Sequence, residues 1–123
     1  ALELNACKII NLKPPRVGGL EESCAIHKLC YDEGVPLWIG GMLESGVGRS
    51  QNVAMASLPG VVLPSDLSAT NRYFAPDITE PPFVLGAGST VAVPDGVGMG
   101  VRVERARLAE FANRWDDVFP NWL

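Results

Sequence analysis

"CKIINLKPPRVGG", residues 7–19, is the stretch on which the reading of the fold turns. Its apolar run, Cys7 to Leu12, is short, carries two isoleucines and stops abruptly at Lys13, the pattern of a buried strand. Pro14 disfavours helical backbone in the residue before it, so Lys13 is expected extended, its side chain leaving from the strand end. Gly18-Gly19 then lets the chain turn tightly into whatever follows. Two readings of Lys13 stand at this point. Most lysines at strand ends are solvated surface, but a lysine fixed at the mouth of a sheet also serves as a proton-transfer base.

Outward from this stretch the same pattern recurs. Val35–Ile39 and Val61–Leu63 read as two further strands, each bounded by Gly, Pro or Asp. Between them, Leu20–Glu33 places Ile26, Leu29 and Cys30 at i, i+3 and i+4, and Ser45–Leu58 places Val53, Ala56 and Leu58 on one side, both helical patterns. Gly34 and Pro59-Gly60 end those helices. Strands alternating with helices at about 30 residues per unit predict an α/β fold with parallel pairing through right-handed crossovers. After Asp66 the pattern breaks into a Pro-rich excursion, a hairpin turning at Gly86-Ala87-Gly88, and a last helix with Leu108, Phe111, Ala112 and Trp115 at i, i+3, i+4 and i+7. The division expected is 1–74 for three βα units and 75–123 for a hairpin-and-helix tail.

The formal net charge of −4 offers no basic field to nucleic acid or anionic lipid. No apolar run approaches the ~20 residues that cross a bilayer. Cys7, Cys24 and Cys30 make an odd count without a CxxC, which argues for free thiols in a reducing, cytoplasmic setting. His27 stands without a second imidazole nearby and is given no role.

In parallel α/β sheets, ligands bind beyond the C-terminal strand ends. Lys13 lies there, as do "GGMLESGVG" (40–48) and "SDLS" (65–68). The glycine-rich stretch fits neither the P-loop nor the dinucleotide fingerprint. It reads either as an anion cradle at a helix start or as a tight turn capped by Ser45. Asp66 alone reads as a cap or turn residue.

Taken together, "INLKPPRVGG", "GVPLWIGGMLESGVGRSQNVAMASLPG", "LPSDLSATNRYF", "DITEPPF" and "VPDGVGMGV" resemble the C-terminal part of the o-succinylbenzoate synthase/N-acylamino acid racemase family. That family belongs to the muconate-cycloisomerase-like subgroup of the enolase superfamily. The resemblance runs from about residue 5 to residue 103, with five motifs in order. Mandelate racemases fit poorly because their base on this face is a histidine. Dipeptide epimerases carry Asp-x-Asp where this chain has Asp66-Leu67-Ser68.

The resemblance implies a (β/α)₈ barrel of which this chain supplies strands six to eight and the C-terminal tail, an incomplete barrel as it stands. It implies that Lys13 is the second of two catalytic lysines facing each other across the substrate α-carbon. Gly41, Met42 and Leu43 then line the substrate pocket, Asp66 and Ser68 stand at the mouth of strand eight, and Tyr73 is an aromatic near the pocket. An α-proton beside a carboxylate is too weakly acidic for a lysine alone, so such sites use Mg²⁺ to hold the enediolate. The first lysine and the acidic Mg²⁺ ligands would lie on earlier strands, leaving no metal ligand in this chain. With Ala1 at its start, the chain is expected to be part of a larger cytoplasmic, homo-oligomeric enzyme acting on a small carboxylate. The activity implied is o-succinylbenzoate synthesis in the menaquinone pathway, with N-acylamino acid racemisation as the alternative. A catalytically inert α/β fragment that self-associates is the expectation of a different class.

Overall fold

The computed structural model describes residues 1–118, and side chains as far as Arg114. Two β-α units open the fold. Strand β1 (Ile10–Leu12) runs through Lys13 into a single helical turn, α1 (Pro14–Val17), and then into α2 (Leu20–Asp32). Strand β2 (Leu37–Ile39) lies parallel to β1 in the register Ile10–Leu37, Asn11–Trp38 and Leu12–Ile39. Helix α3 (Gly46–Ala56) follows β2. The remainder is a loop-rich tail with a two-residue antiparallel pair, β3 (Thr79–Glu80) on β4 (Arg102–Val103), and a closing helix α4 (Arg105–Val118).

The α1 turn was not expected from the sequence, although its cause is local. Pro14 and Pro15 occupy the first helical positions, where a missing N–H costs nothing. Lys13 precedes them in extended backbone, φ −118° and ψ 99°. Gly18, at φ 102°, and Gly19, at φ 105°, then reverse the chain in conformations that side chains resist. Both strands are shorter at their N-terminal ends than expected: Cys7 to Ile9 and Val35-Pro36 lie outside the parallel ladder.

The third strand is the larger correction. Val61–Leu63 does not form one. Instead Val61 bridges Leu37, and Asp66 bridges Gly40, both in parallel sense. The segment from Val61 to Asp66 is longer than the Leu37–Gly40 stretch it faces, so it bulges. Pro64 explains the gap, since it brings no N–H to a ladder. Where the segment bulges, the Ser65 hydroxyl takes the place of a backbone carbonyl, accepting the Ile39 N–H at 3.1 Å, before the backbone resumes with Asp66 N–H to Ile39 O at 2.9 Å.

Leu12, Cys30, Leu37, Ile39 and Met55 form the core, with Val17, Ile26, Leu58, Val61 and Leu67 packed against it. One expected core position fails: Leu29 of α2 is 54% exposed. It faces an open hollow shared with Leu2, Ile10 and Ile26. The other edge of β1 has no partner strand among the described residues. On α4, Phe111 is half-buried while Leu108 and Ala112 are exposed, and the Trp115 side chain lies outside the described residues. The hairpin expected at Gly86-Ala87-Gly88 is present as one antiparallel bridge, Leu85 to Val91.

The tail is anchored on α3. Ser45, the residue expected to cap that helix, makes no side-chain cap bond. The cap comes from Asp77, whose Oδ2 accepts the Gly46 N–H at 2.6 Å while its Oδ1 accepts the Ile78 N–H at 2.6 Å. A buried carboxylate at the positive end of a helix is well placed electrostatically. The approach is so close that a Cβ on Gly46 would lie 1.7 Å from Thr79 Oγ1. Arg107 of α4 ties the same segment down, donating to Asp77 O at 2.5 Å and pairing with Glu80, a bond that holds the guanidinium's proton more tightly.

Candidate active site

The C-terminal ends of β1, β2 and the bridged segment after Val61 bring together Lys13, Gly40–Glu44 and Asp66–Ser68. Lys13 is half-buried, and its Nζ donates to Gly41 O at 2.9 Å. A Cβ on Gly40 would stand 2.4 Å from Lys13 Nζ and 2.8 Å from Asn11 Oδ1. Only glycine leaves room for the lysine to cross the end of β2. Gly41 is fixed in the same way, donating its N–H to Asp66 O at 2.7 Å. A Cβ there would lie 2.6 Å from that oxygen. The glycine pair therefore serves close approach between strand ends.

Met42 and Leu43 continue past β2 with 40% and 70% of their surface exposed, an apolar rim beside the lysine. Asp66 joins through its backbone, and its exposed carboxylate makes no hydrogen bond among the described residues. Ser68 is engaged elsewhere: its Oγ accepts from Arg49 Nη1 at 2.9 Å, and its carbonyl accepts from the same nitrogen. Tyr73 follows a short 3₁₀ turn, Thr70–Arg72. Two guanidiniums, of Arg49 and Arg72, each lie 5.8 Å from its ring centroid, within cation–π range.

Three side chains that the sequence reading passed over organise this site. Arg49 is fully buried, and its Nη2 donates to Glu44 O at 2.9 Å, so one guanidinium joins the loop after β2 to the loop at Ser68. Glu44 accepts the Met42 N–H on Oε2 at 2.6 Å and the Asn52 Nδ2 on Oε1 at 3.0 Å. A signal was present in α3, where Arg49, Asn52, Val53 and Ala56 fall at i, i+3, i+4 and i+7. Two strongly polar residues on the apolar stripe of a helix must have buried partners.

A lysine held by a carbonyl at the end of a parallel sheet, beside an apolar rim, is equipped to take or give a proton at a carbon placed above it. Among the described residues no three of His, Cys, Asp and Glu converge in a way that would hold a metal ion. Residues 1–107 match the model of the enolase C-terminal domain-like family. The chain is 52% identical over 101 residues to the N-succinylamino acid racemase of an Amycolatopsis species, covering 82% of this chain and 27% of that protein. It is 44% identical over 116 residues to the o-succinylbenzoate synthase of Bacillus subtilis strain 168, covering 94% of this chain and 31% of that one. The crystal structure of an enolase-superfamily protein from Enterococcus faecalis V583 superposes with a TM-score of 0.81 at 46% identity, over 89% of this chain and 30% of that one. The chain thus spans less than a third of the length of the relatives it matches. By its motifs, its strand-end lysine and its match to the family model, the chain belongs to the enolase C-terminal domain-like family.

Proposed function

We propose that this chain forms the Lys13-bearing face of a larger enzyme that moves a proton α to a carboxylate. In this reading residues 1–74 supply barrel strands six to eight, the bridged segment Val61–Asp66 taking the place of strand eight, and 75–123 form the C-terminal hairpin and helix tail. Lys13 carries the reaction, and the observation behind that assignment is its fixed crossing of Gly40 to Gly41 O at 2.9 Å. Gly41, Met42 and Leu43 wall the substrate, with Asp66 and Tyr73 at the rim and Ser68 held in place by Arg49. The described residues do not form the Mg²⁺ site that the family implies. The cation would rest on carboxylates outside this chain, and Lys13 is not among its ligands.

O-succinylbenzoate synthesis is the favoured main reaction and N-acylamino acid racemisation the slower one, in a cytoplasmic enzyme. Relatives named o-succinylbenzoate synthase and N-succinylamino acid racemase support this pairing. The exposed Met42–Leu43 wall is apolar and unbranched enough at its base to accept a ring or an acylated side chain. The decisive experiment uses the parent enzyme and its Lys13→Ala variant. The variant is expected to keep Mg²⁺ binding and to exchange the α-proton of only one enantiomer in D₂O. Equal residual exchange from both enantiomers would remove Lys13 from the mechanism. A kcat/KM for racemisation above that for synthesis would reverse the order of the two activities.

A second reading, self-association of the isolated chain, is favoured by the edge of β1 that is unpaired among the described residues and the exposed Ile9 (50%) and Leu29 (54%) beside it. Homo-oligomerisation of the parent enzyme is proposed separately from this.

A further inference from the structure

The geometry points to Glu44 as a positioning residue for Lys13, acting through the Gly41–Met42 peptide group; this rests on the proposed reading of Lys13 as a base. The carbonyl of that peptide group accepts Lys13 Nζ at 2.9 Å, and its N–H donates to Glu44 Oε2 at 2.6 Å. The C=O and N–H of one trans peptide are held in a common plane and point in opposite directions. A carboxylate therefore grips one end of a rigid plate whose other end grips the lysine. Tilting the plate breaks both bonds together.

Glu44 is itself fixed from α3. Asn52, 1% exposed, donates to Oε1 at 3.0 Å, and the fully buried Arg49 donates to the Glu44 carbonyl at 2.9 Å. The plate has little slack, because a Cβ on Gly41 would meet Asp66 O at 2.6 Å and Glu44 Oε1 at 3.3 Å. A charged acceptor on the N–H also polarises the amide, which makes its oxygen a stronger acceptor for the lysine. Neither Glu44 nor Asn52 needs to touch substrate for this.

The test measures α-proton exchange in D₂O for each enantiomer of an N-succinylamino acid, with the parent enzyme and its Glu44→Ala, Glu44→Gln and Lys13→Ala variants. Small displacements of catalytic groups cost large factors, so Glu44→Ala is expected to slow exchange on the Lys13 face by about tenfold or more. Exchange on the opposite face should stay close to wild type. Glu44→Gln keeps an acceptor for the Met42 N–H without the charge. It is expected to slow the same face less, and it serves if the alanine variant fails to fold. Both faces slowed alike by a folded variant, or neither slowed, would overturn the role of Glu44 while Lys13→Ala stays one-sided. Exchange persisting on both faces in Lys13→Ala would overturn the reading of Lys13 and this proposal together.

Discussion

At the scale of single residues, two glycines distinguish a working constraint from a packing one. A Cβ on Gly40 meets Lys13 Nζ and Cγ and Asn11 Oδ1, parts of side chains able to swing aside. A Cβ on Gly46 meets Thr79 Oγ1 at 1.7 Å and Asp77 Oδ2 at 2.8 Å, both fixed in the tail. In the parent enzyme, Gly40→Ala is therefore expected to abolish turnover with only a small fall in Tm. Gly46→Ala should lower stability by about 1–3 kcal/mol, the usual range for overpacking, or more. Thermal unfolding beside a turnover assay separates the two, and equal Tm losses would refute the distinction. Cys30 makes a third residue-scale case. Burial, followed by the neighbouring Cys7 thiol, raises its pKa above the ordinary 9.0. The folded state thus holds that proton more tightly than the unfolded chain does. Its contribution to stability is whole below the unfolded pKa and is lost as pH rises through the folded one. Urea midpoints should fall on the alkaline side of pH 9.0, and Cys30→Ala should flatten that fall. The extended backbone of Lys13 was legible because Pro14 imposes it locally. Glu44 was not, because its effect passes through a peptide group that no residue pattern records.

Among the elements, α3 holds the loop after β2 in place, and its N-terminus is finished from a distance. Ser45 has the right identity and position for a cap but makes no cap bond, whereas Asp77 does. Ser45→Ala is accordingly expected to be nearly neutral. Asp77→Ala should cost about 1–2 kcal/mol, the scale of a lost helix cap, with Asp77→Asn recovering part of it. Chemical denaturation of the three variants checks this, and a Ser45→Ala loss as large as that of Asp77→Ala would contradict the assignment. Helices α2 and α3 were readable because their apolar period is a local property. The parallel pairing of β1 and β2 followed from alternation. What escaped was set by partners far along the chain, or by a local bulge, as where the expected strand at Val61–Leu63 gives way and the Ser65 hydroxyl accepts the Ile39 N–H.

For the molecule as a whole, one edge of β1 is unpaired among the described residues, and the neighbouring hollow is lined by Leu2, Ile10, Ile26 and Leu29. Apolar surface beside a free strand edge favours association. The 123-residue chain alone is expected to migrate above its monomer size of 13.1 kDa in gel filtration. It should also show no micromolar Mg²⁺ affinity by calorimetry, since hard cations want several converging oxygens; such affinity would contradict the proposed placement of the metal site. The remote cap on α3 carries a consequence in time. A ribosome delivers Gly46 well before Asp77, and at about 5–20 residues per second the interval is seconds long. Until the tail emerges, the first turn of α3 has no partner for the Gly46 N–H, and the loop bearing Glu44 hangs from an unfinished helix. Lys13 is made before Asp77, so the platform proposed to aim it is completed only after the tail segment has followed. A nascent chain stalled before Asp77 would hold both strands and the lysine, yet present them to a site still out of true.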